Sequence, residues 1–290
     1  MKKTFIVLIF ILLAGLTSCV KEEPKLSLID NVNQVIDAFI DNYANKYFIE
    51  SDGVLEIDYH VASALGALFK SGYQGSLDTY LFKEVVQAYY DNIDYQTPND
   101  CFKAIVIGRA FGFEASSAKA KLATIDDVDK WSVANTLIAL NITNNNNALK
   151  EKLINQIGVI NEEDYRDADY AGEALIATYN LDIDKSALHA LIDESLTKDG
   201  VSSAWGGANA CSTSYVILGL VASNLDPTSP KYTTEDINLI EALLKYEEGG
   251  AFKFQLDGDI DLGFSTPQAF SALVAYKLYC KDKKPIIIFK

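Results

Sequence analysis

Ala64-Leu65-Gly66-Ala67-Leu68 is a five-residue run of small and apolar side chains that returns, altered but recognisable, along the chain. It reappears as Thr136-Leu137-Ile138-Ala139-Leu140, Ala174-Leu175-Ile176-Ala177-Thr178, Val216-Ile217-Leu218-Gly219-Leu220 and Ala272-Leu273-Val274-Ala275-Tyr276, with a looser copy around Ala104-Ile105-Val106-Ile107. Anchored on Ala67, Ile107, Ala139, Ala177, Gly219 and Ala275, the copies are spaced irregularly but within the range of two-helix repeats. Nine or ten positions before each anchor stands a residue of helix-capping type, namely Asp58, Thr97, Asp129, Asp167, Asn209 and Thr266. Proline follows two of them, at Pro98 and Pro267, where its missing N–H costs a helix nothing. Six apolar helices are therefore expected, each capped at the same distance.

Between them lie segments with a stripe on one face only, such as Val32/Val35/Ile36/Phe39/Ile40, Leu81/Val85/Val86/Tyr89, Leu149/Leu153/Ile154/Ile157, Leu188/Leu191/Ile192/Leu196 and Ile237/Ile240/Leu243/Leu244. A sixth, within 115–125, is weak. Six helices apolar nearly all round, alternating with six half-apolar ones, predict an all-α chain arranged as an α/α toroid of about six inner and six outer helices, or as an open solenoid. Pro285-Ile286-Ile287-Ile288-Phe289 reads as one short C-terminal strand.

The first residues are of a different kind. Lys2 and Lys3 precede the uninterrupted apolar stretch Phe5 to Leu13, and Leu16-Thr17-Ser18-Cys19 follows. That four-residue run resembles the lipobox of bacterial lipoproteins. The resemblance implies cleavage before Cys19 and a diacylglyceryl group on its sulfur, and two acyl chains suffice for stable anchoring. The expected organisation is a signal peptide over 1–18, the lipidated Cys19 and tether over 19–27, the helical body over 28–280 and a tail over 281–290.

With 290 residues, 49% hydrophobic and 22% charged, the composition is that of a folded globular chain. A formal charge of −15 with no basic block excludes a nucleic-acid footprint, and it argues against direct attraction to anionic headgroups. The expected partners are thus the membrane, through the lipid on Cys19, and a small molecule or surface protein, with the chain a monomer at the extracytoplasmic side of the cell envelope. Cys101, Cys211 and Cys280 form no zinc spacing and can give at most one disulfide, small buried thiols being the simpler reading.

The final third is similar to the prenyltransferase and squalene-cyclase repeat superfamily, which includes the helical domain of cobalamin carriers such as intrinsic factor. The similarity rests on Leu218-Gly219-Leu220 through Pro227-Thr228-Ser229-Pro230, on Gly249-Gly250-Ala251-Phe252, and on Ser265-Thr266-Pro267-Gln268-Ala269-Phe270. In that family Gly-Gly-aromatic turns join outer to inner helices, and Asp52-Gly53, Asp199-Gly200 with Trp205-Gly206-Gly207, and Gly249-Gly250 stand at the corresponding joins. The family's reactions do not follow. Asp257-Gly258-Asp259-Ile260-Asp261-Leu262 lacks the adjacent aspartates and threonine of the cyclase acid, and no Asp-x-Cys with a distant His is present for the prenyltransferase zinc. No cofactor or metal is expected.

If the apolar helices start at one end, the residues seven before each anchor converge there: His60, Asp100, Ser132, Tyr170, Ser212 and Gln268. These, with Trp205, Asp259 and Asp261, are the candidate ligand-binding residues, although capping accounts for each acid taken singly. Three functions remain open: a non-catalytic binding module, an enzyme acting on a glycan or isoprenoid with Asp259 and Asp261 as acids, and a scaffold for another surface protein.

Overall fold

The computed structural model describes residues 26–51, 54–73, 79–145, 148–158, 167–204 and 206–290. The signal peptide, Cys19, Asp52-Gly53 and Trp205 lie outside them. The described residues form twelve α-helices: α1 (Leu28–Asn42), α2 (Tyr59–Lys70), α3 (Thr79–Asn92), α4 (Pro98–Phe111), α5 (Ser116–Leu122), α6 (Val133–Ile142), α7 (Ala148–Gly158), α8 (Ala168–Ala177), α9 (Ser186–Ser195), α10 (Ala210–Ala222), α11 (Leu239–Leu244) and α12 (Ser265–Asp282).

The even-numbered helices carry the repeated runs and bury most of their surface; in α10 only Cys211 and Tyr215 keep appreciable exposure. Odd-numbered helices bury one stripe, as α1 does with Val32, Val35, Ile36, Phe39 and Ile40. Packing follows chain order: α2 lies on α4, α4 on α6, α6 on α8 and α8 on α10, while α12 packs on both α10 and α2. Each odd helix backs an even one, with α1 against α12, α3 and α5 against α4, α7 against α6, α9 against α8 and α11 against α10. A single apolar core runs through all of the core helices.

Capping sets where these helices begin. Asp58 accepts from Val61 N, Asp167 from Asp169 N and Asn209 from Ser212 N, and Thr97 forms a reciprocal capping box with Asp100. Each such cap is worth roughly 1 kcal/mol. Two expectations need correction. Thr266 lies inside α12, whose leading amides are held by Asp261, with Oδ2 accepting from Ser265 N at 2.9 Å. Asp129 is not the cap of α6 either; it accepts from Trp131 N and from the Ser132 hydroxyl one turn before the helix.

The chain is mainly helical but not all-α. Among the described residues nine strands of two to four residues form antiparallel ladders in the connections: β1 (Phe48–Ser51) with β2 (Val54–Ile57), β3 (Leu196–Thr197), β4 (Gly200–Ser203) and β5 (Gly207–Asn209) in one sheet, β6 (Thr233–Thr234) with β7 (Ile237–Asn238), and β8 (Glu247–Glu248) with β9 (Ala251–Phe252). Gly249 and Gly250, at φ 64° and 92°, make the two-residue turn of the last hairpin, and a Cβ on Gly250 would stand 2.5 Å from Phe39 N of α1. Such ladders are too short to show alternation in the sequence.

The expected C-terminal strand is absent. Ile286 N donates to Val221 O, Lys290 N closes a turn onto Ile287 O, and Ile288 and Phe289 are buried among the core helices. The apolar run reflects burial, Ile288 and Phe289 being 5% and 3% exposed. No helix of the described residues is long and apolar enough to cross a membrane.

Candidate functional site

The first turns of α2, α8, α10 and α12 bring polar groups together in an apolar interior. Tyr215 of α10 is the hub. Its hydroxyl lies 3.2 Å from His60 Nε2 and 3.4 Å from the Tyr59 hydroxyl, and it hydrogen-bonds the Glu173 carboxyl of α8. One turn earlier on α8, Asp169 lies beside the Ser212 hydroxyl, whose proton is shared between it and Asn209 Oδ1 at 3.0 Å. Cys211 Sγ is 3.4 Å from the Ser265 hydroxyl, which donates to Asp261. The rings of Tyr59, His60 and Phe102 close on Phe289, with centroids 5.5 to 5.9 Å from it.

Burial shifts every titratable member. The His60 imidazole is held down at about 3, so it is neutral. Glu173 is pushed up to about 8, first by burial and then by the negative charge of Asp169, against the hydrogen bond from Tyr215. Burial also raises Asp169 to about 6, and Cys211 to about 12. At neutral pH the helix α8 therefore presents an uncharged carboxylic acid one turn from an ionised one. Tyr59, Glu173 and Tyr215 are half-buried, with protein packed densely around each of their polar ends.

Several buried polar atoms near this cluster have no partner among the described residues: His60 Nδ1, Asp169 Oδ1, Gln268 Oε1 and the hydroxyls of Ser63 and Ser271. A buried polar atom left unsatisfied costs about 1 to 3 kcal/mol, so these atoms call for water or a ligand.

The candidates taken from the sequence divide. His60 and Ser212 belong to the cluster, and Gln268 extends from the first turn of α12 with its orphaned oxygen. Asp100 serves its capping box. Tyr170 turns outward, its hydroxyl donating to Ile157 O of α7 at 3.4 Å. Asp261 braces the start of α12, which lowers its pKa by hydrogen bonds from Ser265, Phe264 and Gly263 despite opposing burial, and Asp259 is exposed on the preceding loop. Trp205 lies outside the described residues.

Tyr59, Asp169, Glu173 and Tyr215 were missed by counting seven before each anchor. They stand eight or four before, on a strip of the helix turned by roughly 60° to 100° from the position counted. The residues four before the anchors are Ser63, Lys103, Asn135, Glu173, Tyr215 and Ser271, all polar in otherwise apolar runs. That column was the available signal.

Among the described residues no three metal-ligating side chains gather, and Cys101, Cys211 and Cys280 are all free. Comparison with protein-family models, with curated proteins and with solved structures found no match.

Glu173 gives the cluster a testable pH response. Its carboxyl is neutral in the folded chain up to about pH 8 and ionised in the unfolded chain above its ordinary value of 4.5. The stability it contributes is full below 4.5 and is lost as pH rises through 8, at a slope of up to ~1.4 kcal/mol per pH unit. Glu173→Gln keeps a neutral polar side chain, so thermal midpoints from pH 5 to 9 are expected to fall less for the variant than for the parent. Parallel curves would remove Glu173 as the titrating group.

Proposed function

We propose that this chain is a lipid-anchored extracytoplasmic protein of the prenyltransferase and squalene-cyclase type, an α/α toroid whose bore holds a small hydroxyl-rich ligand without transforming it. Three features support the toroid: the alternation of core and one-faced helices, the succession of core-helix contacts from α2 to α12, and the return of α12 onto α2. The lipobox-like Leu16-Thr17-Ser18-Cys19 supports the anchor.

The ligand class rests on one observation, the polar column of Ser63, Glu173, Tyr215 and Ser271 beside Asp169 and His60, with orphaned donors and acceptors. An isoprenoid would leave those groups unpaired, at a cost that buried hydrocarbon contact would have to overcome. A sugar-like molecule pairs them, and Tyr59, Phe102 and Phe289 offer it an apolar wall.

Native mass spectrometry of the full chain, exposed to glycans, corrinoids and isoprenoids, tests this. A glycan fragment is expected to be retained, and Tyr215→Phe, which removes the bridging hydroxyl and little volume, is expected to weaken it by about tenfold. Retention of an isoprenoid instead would refute the ligand class.

The split titration of Asp169 and Glu173 favours a second reading, in which Glu173 donates a proton and Asp169 receives one during glycan cleavage. Conversion of a retained glycan, abolished by Glu173→Gln, would establish that reading in place of the first.

A further inference from the structure

The acidic surplus of this chain is not evenly placed. Five of its 25 basic residues, Lys277, Lys281, Lys283, Lys284 and Lys290, fall in the last fourteen positions, where Asp282 is the one acid among 40. Lys70 and Arg109, ending α2 and α4, join them. Lys70 Nζ donates to Arg109 O at 3.0 Å, Arg109 Nε to Lys290 O at 2.7 Å and Lys281 Nζ to Ser71 O at 3.1 Å. These bonds fix Lys70, Arg109 and Lys281 at one end of the core. Acids stand among them: Asp282 pairs with Lys284 at 3.1 Å, Asp226 lies 4.0 Å from Lys283, Asp37 accepts from Tyr73, Asp30 is taken up by Ser27, and Glu114, near Arg109, pairs with Lys119.

The chain enters the fold at this same end. Ile29 and Asn33 of α1 form one groove with Ser71, Gly72, Tyr73, Lys277 and Lys281, and half-exposed Leu26 is the first described residue. Leu26 is the seventh residue after Cys19, a reach of at most ~25 Å. The opposite end, where the core helices begin, carries Asp58, Asp100, Asp167, Asp257, Asp259 and Asp261.

We propose that the basic end, centred on Lys281, Lys283 and Lys284, rests on the anionic phospholipid surface of the anchoring membrane, so that the starts of the core helices face away from it. The proposal rests on the lipid anchor of the preceding section. A body of net charge −15 held within ~25 Å of anionic lipid is repelled in most orientations. With this end down, Lys281, Lys283 and Lys284 come together within a screening length of about 10 Å of the headgroups, whereas the starts of the core helices bring a row of aspartates.

Lysine acetylation footprinting tests it on the full chain as recovered from membranes, reconstituted into phosphatidylcholine vesicles with or without about one third phosphatidylglycerol. Lys281, Lys283 and Lys284 are expected to react about threefold more slowly on the anionic vesicles, with Lys130 and Lys253 at the far end unchanged and the difference lost at about 0.5 M salt. The Cys19 peptide in the same digest separates two failures. A Cys19 without acyl mass overturns the anchor and the proposal together, whereas an acylated chain whose two ends label alike overturns the orientation alone.

Discussion

Gly172→Ala is expected to destabilise the chain by about 2 to 3 kcal/mol, even though alanine is the better helix former. A Cβ at Gly172 would stand 2.4 Å from Tyr215 O and 2.5 Å from its carbonyl carbon, and a Cβ at Gly219 would meet Gly172 O at 2.7 Å. The obstacle on both sides is backbone, so neither substitution is relieved by a rotamer change. The two glycines let α8 and α10 approach closely, and that approach is what brings Tyr215 to Glu173. Chemical denaturation of Gly172→Ala, Gly219→Ala and the double variant is the check. The paired effects are expected to be non-additive, because separating the helices once removes both clashes. A parental denaturation midpoint in Gly172→Ala would mean that α8 and α10 are not packed as described.

That contact also shows how far the sequence could be read. Gly219 sits in the repeated run because a core helix needs a small residue where it crosses its neighbour, and the runs located all six core helices, four of them starting at the expected cap. Reading inward from a helix start demands more, since an error of one position turns a side chain by about 100°. Counting from the anchors reached His60 and Ser212 but also Tyr170, which faces α7. Glu173 is visible in the sequence only as a charge among small residues, and its raised pKa comes first from burial and then from Asp169, against the hydrogen bond from Tyr215 on another helix. Asp261 illustrates a different limit. Its loop folds back so that it receives Ser265 N four residues on, while Thr266 turns to Asp261 O and Phe252. Of the short ladders, the last turns through Gly249-Gly250 but β6–β7 turns through Glu235-Asp236, and nothing in their two to four residues could announce them beforehand.

Phe289→Ala is expected to cost about 3 to 5 kcal/mol, the range for emptying a buried phenylalanine site. Phe289 is 3% exposed and reaches the core from a tail attached through Ile286 N to Val221 O and through Arg109 to Lys290 O. Phe289→Leu, which keeps most of the volume, is expected to lose less than half as much. Stability alone does not locate the ring, but His60 does. The chain has two histidines, so their NMR titrations are readily told apart. In the parent, burial beside Phe289 holds His60 neutral down to about pH 3. Removing the ring admits water to the imidazole, which relieves desolvation and moves its pKa upward toward 6.5. A His60 that titrates near pH 5 or above in Phe289→Ala, and stays silent there in the parent, would place the tail as the floor of the polar cluster. Unchanged stability together with an unchanged His60 would show instead that the tail does not seal the core, and the apolar wall assigned to the ligand would lose one of its three rings.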